Sequence, residues 1–142
     1  MKKLMMISAL ATIVTMSACA QKLDASKVPA AVKAAFKKQY PGVTAKWEKE
    51  DGDYEAGFKQ NGNEMSTVFD AAGTMKESEM EIKASELSAN IQAYVAQHYK
   101  GKTIKDAAKI TMANGTVNYE ANVNGKDVIF DANGNFLKEA KD

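Results

Sequence analysis

Residues 69–73 read Phe-Asp-Ala-Ala-Gly, and residues 130–134 read Phe-Asp-Ala-Asn-Gly. Upstream of each stands another matched triplet, Tyr54-Glu55-Ala56 and Tyr119-Glu120-Ala121. Further upstream, Val28, Val32, Phe36 and Tyr40 recur 59 residues later as Leu87, Ile91, Val95 and Tyr99. Both sets are followed two places on by glycine, Gly42 and Gly101. Self-similarity at a fixed period marks an internally repeated structural unit and constrains architecture more than any single motif.

Each copy opens on a helical pattern. Apolar residues fall every fourth place, which puts them on one narrow stripe. Ser26 and Ser85 occupy equivalent positions and suit an N-cap, where a hydroxyl accepts from a free backbone N–H. Pro29 falls in the first turn, where its missing donor costs little. Tyr40-Pro41-Gly42 and Tyr99-Lys100-Gly101 are stop signals. The period then changes to two. Trp47, Tyr54, Phe58, Thr67 and Phe69 alternate with polar neighbours in the first copy, as do Ile110, Tyr119, Val128 and Phe130 in the second. Such alternation predicts strands with one buried face. The breaks are turn dipeptides: Asp51-Gly52, Asn61-Gly62 and Ala72-Gly73, then Asn114-Gly115, Asn124-Gly125 and Asn133-Gly134. Asp-Gly and Asn-Gly tolerate the positive φ that tight hairpins require.

The fold class expected is therefore α+β: a tandem repeat of helix plus four-stranded antiparallel meander, over residues 24–82 and 83–142, with both helices on one face of a shared sheet. Lys83-Ala84 joins the copies without a linker. A stretch of about 60 residues is marginal alone, so the copies are expected to share a core as one compact domain.

Residues 1–20 read as a signal peptide: Lys2 and Lys3 form a basic start, Leu4 to Val14 is mostly apolar, and small residues follow. Two processing sites compete. Ala18-Cys19-Ala20 is an A-x-A site that would release a soluble protein. Met16-Ser17-Ala18-Cys19 resembles a lipobox, in which Cys19 would be lipidated and anchor the protein to the membrane. Either route exports the chain to the periplasm or its membrane surface. Cys19 is the sole cysteine, so no disulfide or thiolate metal site is expected in the mature protein. All 19 basic residues are lysine, and without Lys2 and Lys3 the formal charge moves from +1 to −1. Arginine is the preferred residue for forked recognition of phosphate. Its absence and the neutral balance argue against nucleic-acid binding. At 11 residues the run Leu4 to Val14 is itself too short to span a bilayer as a helix, which needs roughly 20, and no second apolar segment could.

The signal peptide, the two helix-plus-meander copies and the Tyr-Glu-Ala and Phe-Asp-x-x-Gly motifs together resemble the PepSY-like family of exported bacterial proteins. That family is similar in fold to beta-lactamase inhibitory protein, with helices on one side of a continuous sheet. The resemblance covers residues 24 to 140. It implies non-catalytic binding or inhibition of exported enzymes such as peptidases.

No catalytic, cofactor or metal constellation is visible. His98 is the only histidine and has no second ligand at helical spacing. No serine sits in a G-x-S-x-G elbow, so the chain is not expected to be an enzyme. Parity nominates an interaction face opposite the helices: Lys46, Glu48, Glu55, Lys59, Val68, Lys109, Asn118, Glu120 and Ile129, with Val68 and Ile129 as apolar spots on a solvated Lys/Glu/Asn surface. Cross-strand Lys–Glu pairs would keep such a surface soluble, or make it a charge-complementary docking surface for an unidentified envelope protein or peptide. The row Glu77, Glu79, Glu81 reads as protection against edge-to-edge pairing. A small-ligand or cation carrier using the cleft between copies is the alternative function. Trp47 keeps inward parity and is expected in the core, and Tyr94 lies off the helix stripe and is expected at the surface.

Overall fold

A computed structural model describes residues 21–141. The expected signal peptide, both processing readings and Cys19 lie outside the described residues. The described chain is α+β, with two helices and a nine-stranded antiparallel sheet whose strands follow chain order. The strands are β1 (Gln21–Leu23), β2 (Lys46–Glu50), β3 (Asp53–Gln60), β4 (Asn63–Phe69), β5 (Met75–Ile82), β6 (Ile104–Met112), β7 (Val117–Val123), β8 (Lys126–Asp131) and β9 (Phe136–Lys141). Helix α1 (Ala30–Gln39) lies between β1 and β2, and α2 (Ala89–His98) between β5 and β6. Eight strands were expected. The ninth is β1, where Leu23 pairs with Trp47 and Gln21 with Lys49.

Each helix is preceded by a short 3-10 turn, Ala25–Lys27 and Ala84–Glu86. This corrects the capping expectation: Ser26 and Ser85 lie inside those turns. The Ser26 N–H donates to Asp24 Oδ1 at 2.8 Å, so Asp24 is the cap there. Pro29 stands just before α1 and has no side-chain oxygen to offer. Ser88 caps α2, accepting from the Ile91 N–H at 3.4 Å.

The helix stripes bury as their spacing requires. On α1, Val32 and Phe36 pack with Trp47, Tyr54, Phe58 and Phe69. The Phe36 ring meets the Trp47 ring edge-on at 5.4 Å between centroids and the Phe58 ring at 5.2 Å. On α2, Ile91 and Val95 pack with Ala107, Ala121, Val123, Val128 and Phe130. Burial of a large apolar side chain stabilises by about 1.5–3 kcal/mol, so these two clusters supply the main driving force. The first holds one polar pair, in which the hydroxyls of Tyr40 and the fully buried Thr67 lie 3.0 Å apart. Tyr94 is not at the surface. It is half-buried against the second cluster, stacked between the rings of His98 and Phe136 at 3.9 and 5.1 Å.

The Phe-Asp-x-x-Gly motif has a mechanical role in both halves. Phe69 and Phe130 are core residues, exposed by 1% and 0%. Asp70 Oδ1 accepts from the N–H groups of Ala72 and Thr74, and Asp131 Oδ1 from those of Asn133 and Asn135, all at 2.9 Å. Each carboxylate thus closes the turn that follows its strand. The glycine lets the turn touch a helix: a Cβ on Gly73 would lie 2.6 Å from the Ala31 carbonyl oxygen, and one on Gly134 2.8 Å from Ser88 Oγ.

The hairpins at Asp51-Gly52, Asn61-Gly62 and Asn124-Gly125 carry positive φ at both residues, as the dipeptides require. Asn114 does not: only Gly115 is left-handed there, and the longer turn is closed by Met112 and Thr116. The register shifts at three places, between Val68 and Phe69, Ile104 and Asp106, and Ile129 and Phe130. Such bulges bend and twist a sheet, and here they determine what faces where.

Candidate functional site

Within each strand, the side chains that pack on a helix alternate with a second set that does not. In β3 the second set is Glu55, Gly57 and Lys59; in β4, Glu64, Ser66 and Val68; in β5, Glu77, Glu79 and Glu81. In the second half it contains Asp106, Ala108, Ile110, Asn118, Glu120 and Asn122, followed by Asp127, Ile129 and Lys138. Backbone pairing joins these into rows. One row runs Glu48, Glu55, Val68, Glu77, Met112; the next runs Lys46, Gly57, Ser66, Glu79, Ile110, Asn118.

This set is buried where an open solvated surface was expected. Glu55 is 6% exposed, Glu79 7%, Glu120 8% and Asp127 6%, with Ser66 and Asn122 similarly covered. Val68 and Ala108 are buried too, yet belong to neither helix-packed cluster; Ile110 and Ile129 form a separate one with Met112. Curvature is the cause. Glu79 on β5 feels the charge of Asp127 on β8, and Glu77 on β5 that of Lys138 on β9. On a flat sheet with strands about 4.8 Å apart, the four inter-strand spacings from β5 to β9 would separate the latter pair by roughly 19 Å. The bulged sheet instead curls into a trough whose walls cover its floor.

The trough is acidic and its floor is poorly solvated. Burial pushes Glu55 up to about 7, with a hydrogen bond from Ser66 opposing the shift and the charges of Glu48, Glu50 and Glu77 adding to it. Burial likewise pushes Glu79 up to about 8, and every neighbouring charge that adds to the shift is acidic: Glu55, Glu77, Asp127 and Glu81. Glu77 is raised by burial, with Lys76 and Lys138 pulling it back. Beside them, Asn122 Nδ2 donates to Asp127 Oδ1 at 2.8 Å. Crowded, desolvated carboxylates in a concavity are the kind of perturbed group that clusters at functional sites.

The nominated residues fare differently. Glu55, Val68, Glu120 and Ile129 lie on the floor, and Lys46 and Lys59 are exposed at the rim. Glu48 and Asn118 are half-buried between floor and rim. Lys109 leaves the group. It pairs with Tyr119, which packs on the α2 cluster, whereas Ile110, expected against the helices, is on the trough floor. The bulge at Ile104–Asp106 inverts the parity of β6. Glu77 and Glu79 were missed as site residues. They sit on the central strand, paired on both sides, so they guard no sheet edge. Their alternation with Ser78, Met80 and Ile82 was the available signal.

A shallow cleft of about 420 Å³ lies between the halves, lined by Lys59, Glu64, Glu81, Lys83, Glu86 and Lys105 among others. Three of its charges are already engaged: Lys59 bridges Glu64 at 2.9 Å, and Glu86 accepts from the Lys83 backbone N–H at 2.7 Å. Among the described residues, no group of three or more His, Cys, Asp or Glu side chains is arranged to hold a metal ion. No described helix is long and apolar enough to cross a membrane.

A family model described as "Putative beta-lactamase-inhibitor-like, PepSY-like" matches the chain over residues 14–77 and again over 53–138. The chain belongs to this PepSY-like family. Among solved structures it is similar to a BLIP-like protein from Bacteroides fragilis, with 26% identity, a TM-score of 0.66, and coverage of 80% of this chain and 86% of that one. It is also similar to a DUF2874 family protein from Bacteroides ovatus, at 20% identity and a TM-score of 0.71 over 80% of this chain and 86% of that one. A third, from Bacteroides eggerthii and described as one of the "putative periplasmic proteins", shares 17% identity at a TM-score of 0.73, covering 80% and 88% of the two chains. No curated protein matches the chain. These likenesses show the fold alone, and the trough is read from this PepSY-like chain's own residues.

Proposed function

We propose that this PepSY-like protein is an exported, non-catalytic binding module of the cell envelope, and that its trough docks an extended segment of a protein or peptide. In this reading the chain is a tandem repeat, residues 24–82 and 83–142, with both helices on one sheet face and the docking face opposite. The double match of the family model and the paired Phe-Asp-x-x-Gly turns support the repeat. Neighbours described as periplasmic support the location. One observation carries the reading. Six polar side chains are buried on a sheet surface that no described helix packs against, with Ile110, Ile129 and Val68 between them. Desolvating carboxylates is costly, and a surface that sustains that cost is a site of recognition. His98, the sole histidine, is engaged by a stack with Tyr94 and by donation from Nδ1 to the Tyr94 carbonyl at 2.9 Å, a structural role. The inter-half cleft is the second reading, as a small-ligand or cation carrier, supported only by its volume.

The test is capture from envelope extract on three immobilised forms with matched circular dichroism: wild type, Lys46→Glu plus Lys138→Glu at the trough rim, and Lys33→Glu plus Lys37→Glu on α1. The expected outcome is a partner recovered equally by wild type and the helix variant and in a clearly different amount by the rim variant. Equal recovery by all three forms overturns the docking face. Measuring the mass of the mature N-terminus distinguishes lipidation at Cys19 from its removal.

A further inference from the structure

The trough has a defect that indicates what completes it. Glu79 lies at its centre, 7% exposed, with Ser66 beside it on β4 and Ile110 on β6. Its carboxylate has no hydrogen-bond or ion-pair partner among the described residues; the influences on it are burial and like charge. Its own strand brings Glu77 and Glu81, and β3 brings Glu55. From the far wall come Asp127 on β8 and, one register row away, Glu120 on β7. The lysines of this face stand at its margin: Lys46 and Lys59 on one wall, Lys138 on the other. Lys59 is bridged to Glu64, and Lys138 acts on Glu77. No lysine occupies a cross-strand position next to Glu79.

We propose that the trough accepts one cationic side chain, a lysine or arginine projecting from an extended partner segment, which seats between Glu55, Glu77 and Glu79 with its aliphatic stem on Ile110 and Ile129. This rests on the docking reading above and specifies the partner's chemistry. The ligand is amphipathic by necessity, since the floor alternates carboxylates with apolar side chains. Long basic side chains meet that demand, burying their stems on apolar surface while the head group finds charge. An ammonium or guanidinium also brings several N–H donors, which a crowd of acceptors lacks. Binding depresses the carboxyl pKa values, so protons are released, and affinity rises with pH through the range in which Glu55 and Glu79 ionise.

The experiment is calorimetric titration of the whole mature chain with capped seven-residue peptides, Gly-Thr-Val-X-Val-Thr-Gly, in which X is arginine, lysine, norleucine or glutamate. The expected result at pH 8.5 is binding of the arginine and lysine peptides at least about tenfold tighter than the norleucine peptide, a difference of about 1.4 kcal/mol. That preference shrinks at pH 5.5 and comes with proton release, read as a buffer-dependent heat. Glu79→Gln abolishes it, as does Glu77→Gln should the first variant fail to fold, and Lys33→Gln on α1 keeps it. Norleucine binding as tightly as arginine overturns the cation while leaving the docking face intact, and the rim-reversal capture separates the two. Absence of binding by any peptide also overturns it. Binding of calcium chloride alone that depends on Glu79 overturns it in favour of a metal ion. Concentration-dependent self-association that Lys33→Gln or Glu79→Gln abolishes overturns it in favour of a second copy's α1.

Discussion

Replacing Glu79 with glutamine should make the protein more stable, increasingly so as pH rises from about 4.5 to about 8. Folding raises the Glu79 pKa from 4.5 to about 8. The folded protein therefore holds this proton over a range in which the unfolded chain has released it. By linkage, stability falls as pH rises from about 4.5 to about 8, is unaffected by this group below that window, and carries the full penalty above it. At about 1.4 kcal/mol per tenfold change in proton affinity, the ceiling is about 5 kcal/mol. Glu55, Glu77 and Asp127 share the same trough and relax when one carboxylate is removed, so a single substitution should recover about 2–4 kcal/mol. That is a large part of a typical folding free energy of about 5–15 kcal/mol. The assay is urea unfolding at pH 5, 6, 7, 8 and 9 for wild type and Glu79→Gln. The curves should meet near pH 5 and diverge towards pH 9, with the wild type falling. Parallel curves, or a variant less stable at pH 9, would refute the reasoning and mean that the carboxylate is well solvated or paired.

Gly73 and Gly115 share a φ of +84°, but only Gly73 has backbone against the place of a Cβ. Gly73→Ala should cost about 3–4 kcal/mol in urea unfolding and Gly115→Ala about 1–2, the backbone strain alone. Tyr40→Phe leaves the buried Thr67 hydroxyl without its partner and should cost about 1–2 kcal/mol, most of it recovered by adding Thr67→Val. Phe130→Ala, at 0% exposure, should cost about 3–5 kcal/mol. Phe136→Ala, at 42% exposure, should cost about 1 kcal/mol or less by thermal melting, chiefly its stack on Tyr94.

What could be read from the chain was what local chemistry determines. The i, i+4 stripes located both helices, period-two runs located eight strands, and Asp51-Gly52, Asn61-Gly62 and Asn124-Gly125 located the tightest turns with their backbone conformation. The short β1 was invisible because three residues, Gln21–Leu23, carry no period. Capping failed at Ser26 and Ser85 because each lies inside a 3-10 turn that delays the helix by a few residues, and Pro29 and Ser88 then hold the N-cap positions. The site was half legible. Parity put Glu55, Val68, Glu120 and Ile129 on one face, but parity counts residues and the bulge at Ile104–Asp106 breaks the count, exchanging Lys109 for Ile110. The burial of that face follows from long-range curvature. No residue pattern within a strand encodes it, so Glu79 looked like a surface acid.

One property of the sheet bears on how the molecule comes to exist at all. Every strand bonds only to the strand before it and the strand after it. The ladder can therefore grow by adding hairpins in order, with detours only where α1 intervenes between β1 and β2 and α2 between β5 and β6. Topologies rich in such sequence-local pairings assemble quickly, because little loop-closure entropy precedes each gain. A chain whose strands become available in order can thus zip up as it emerges, leaving few unsatisfied edges for aggregation to seize.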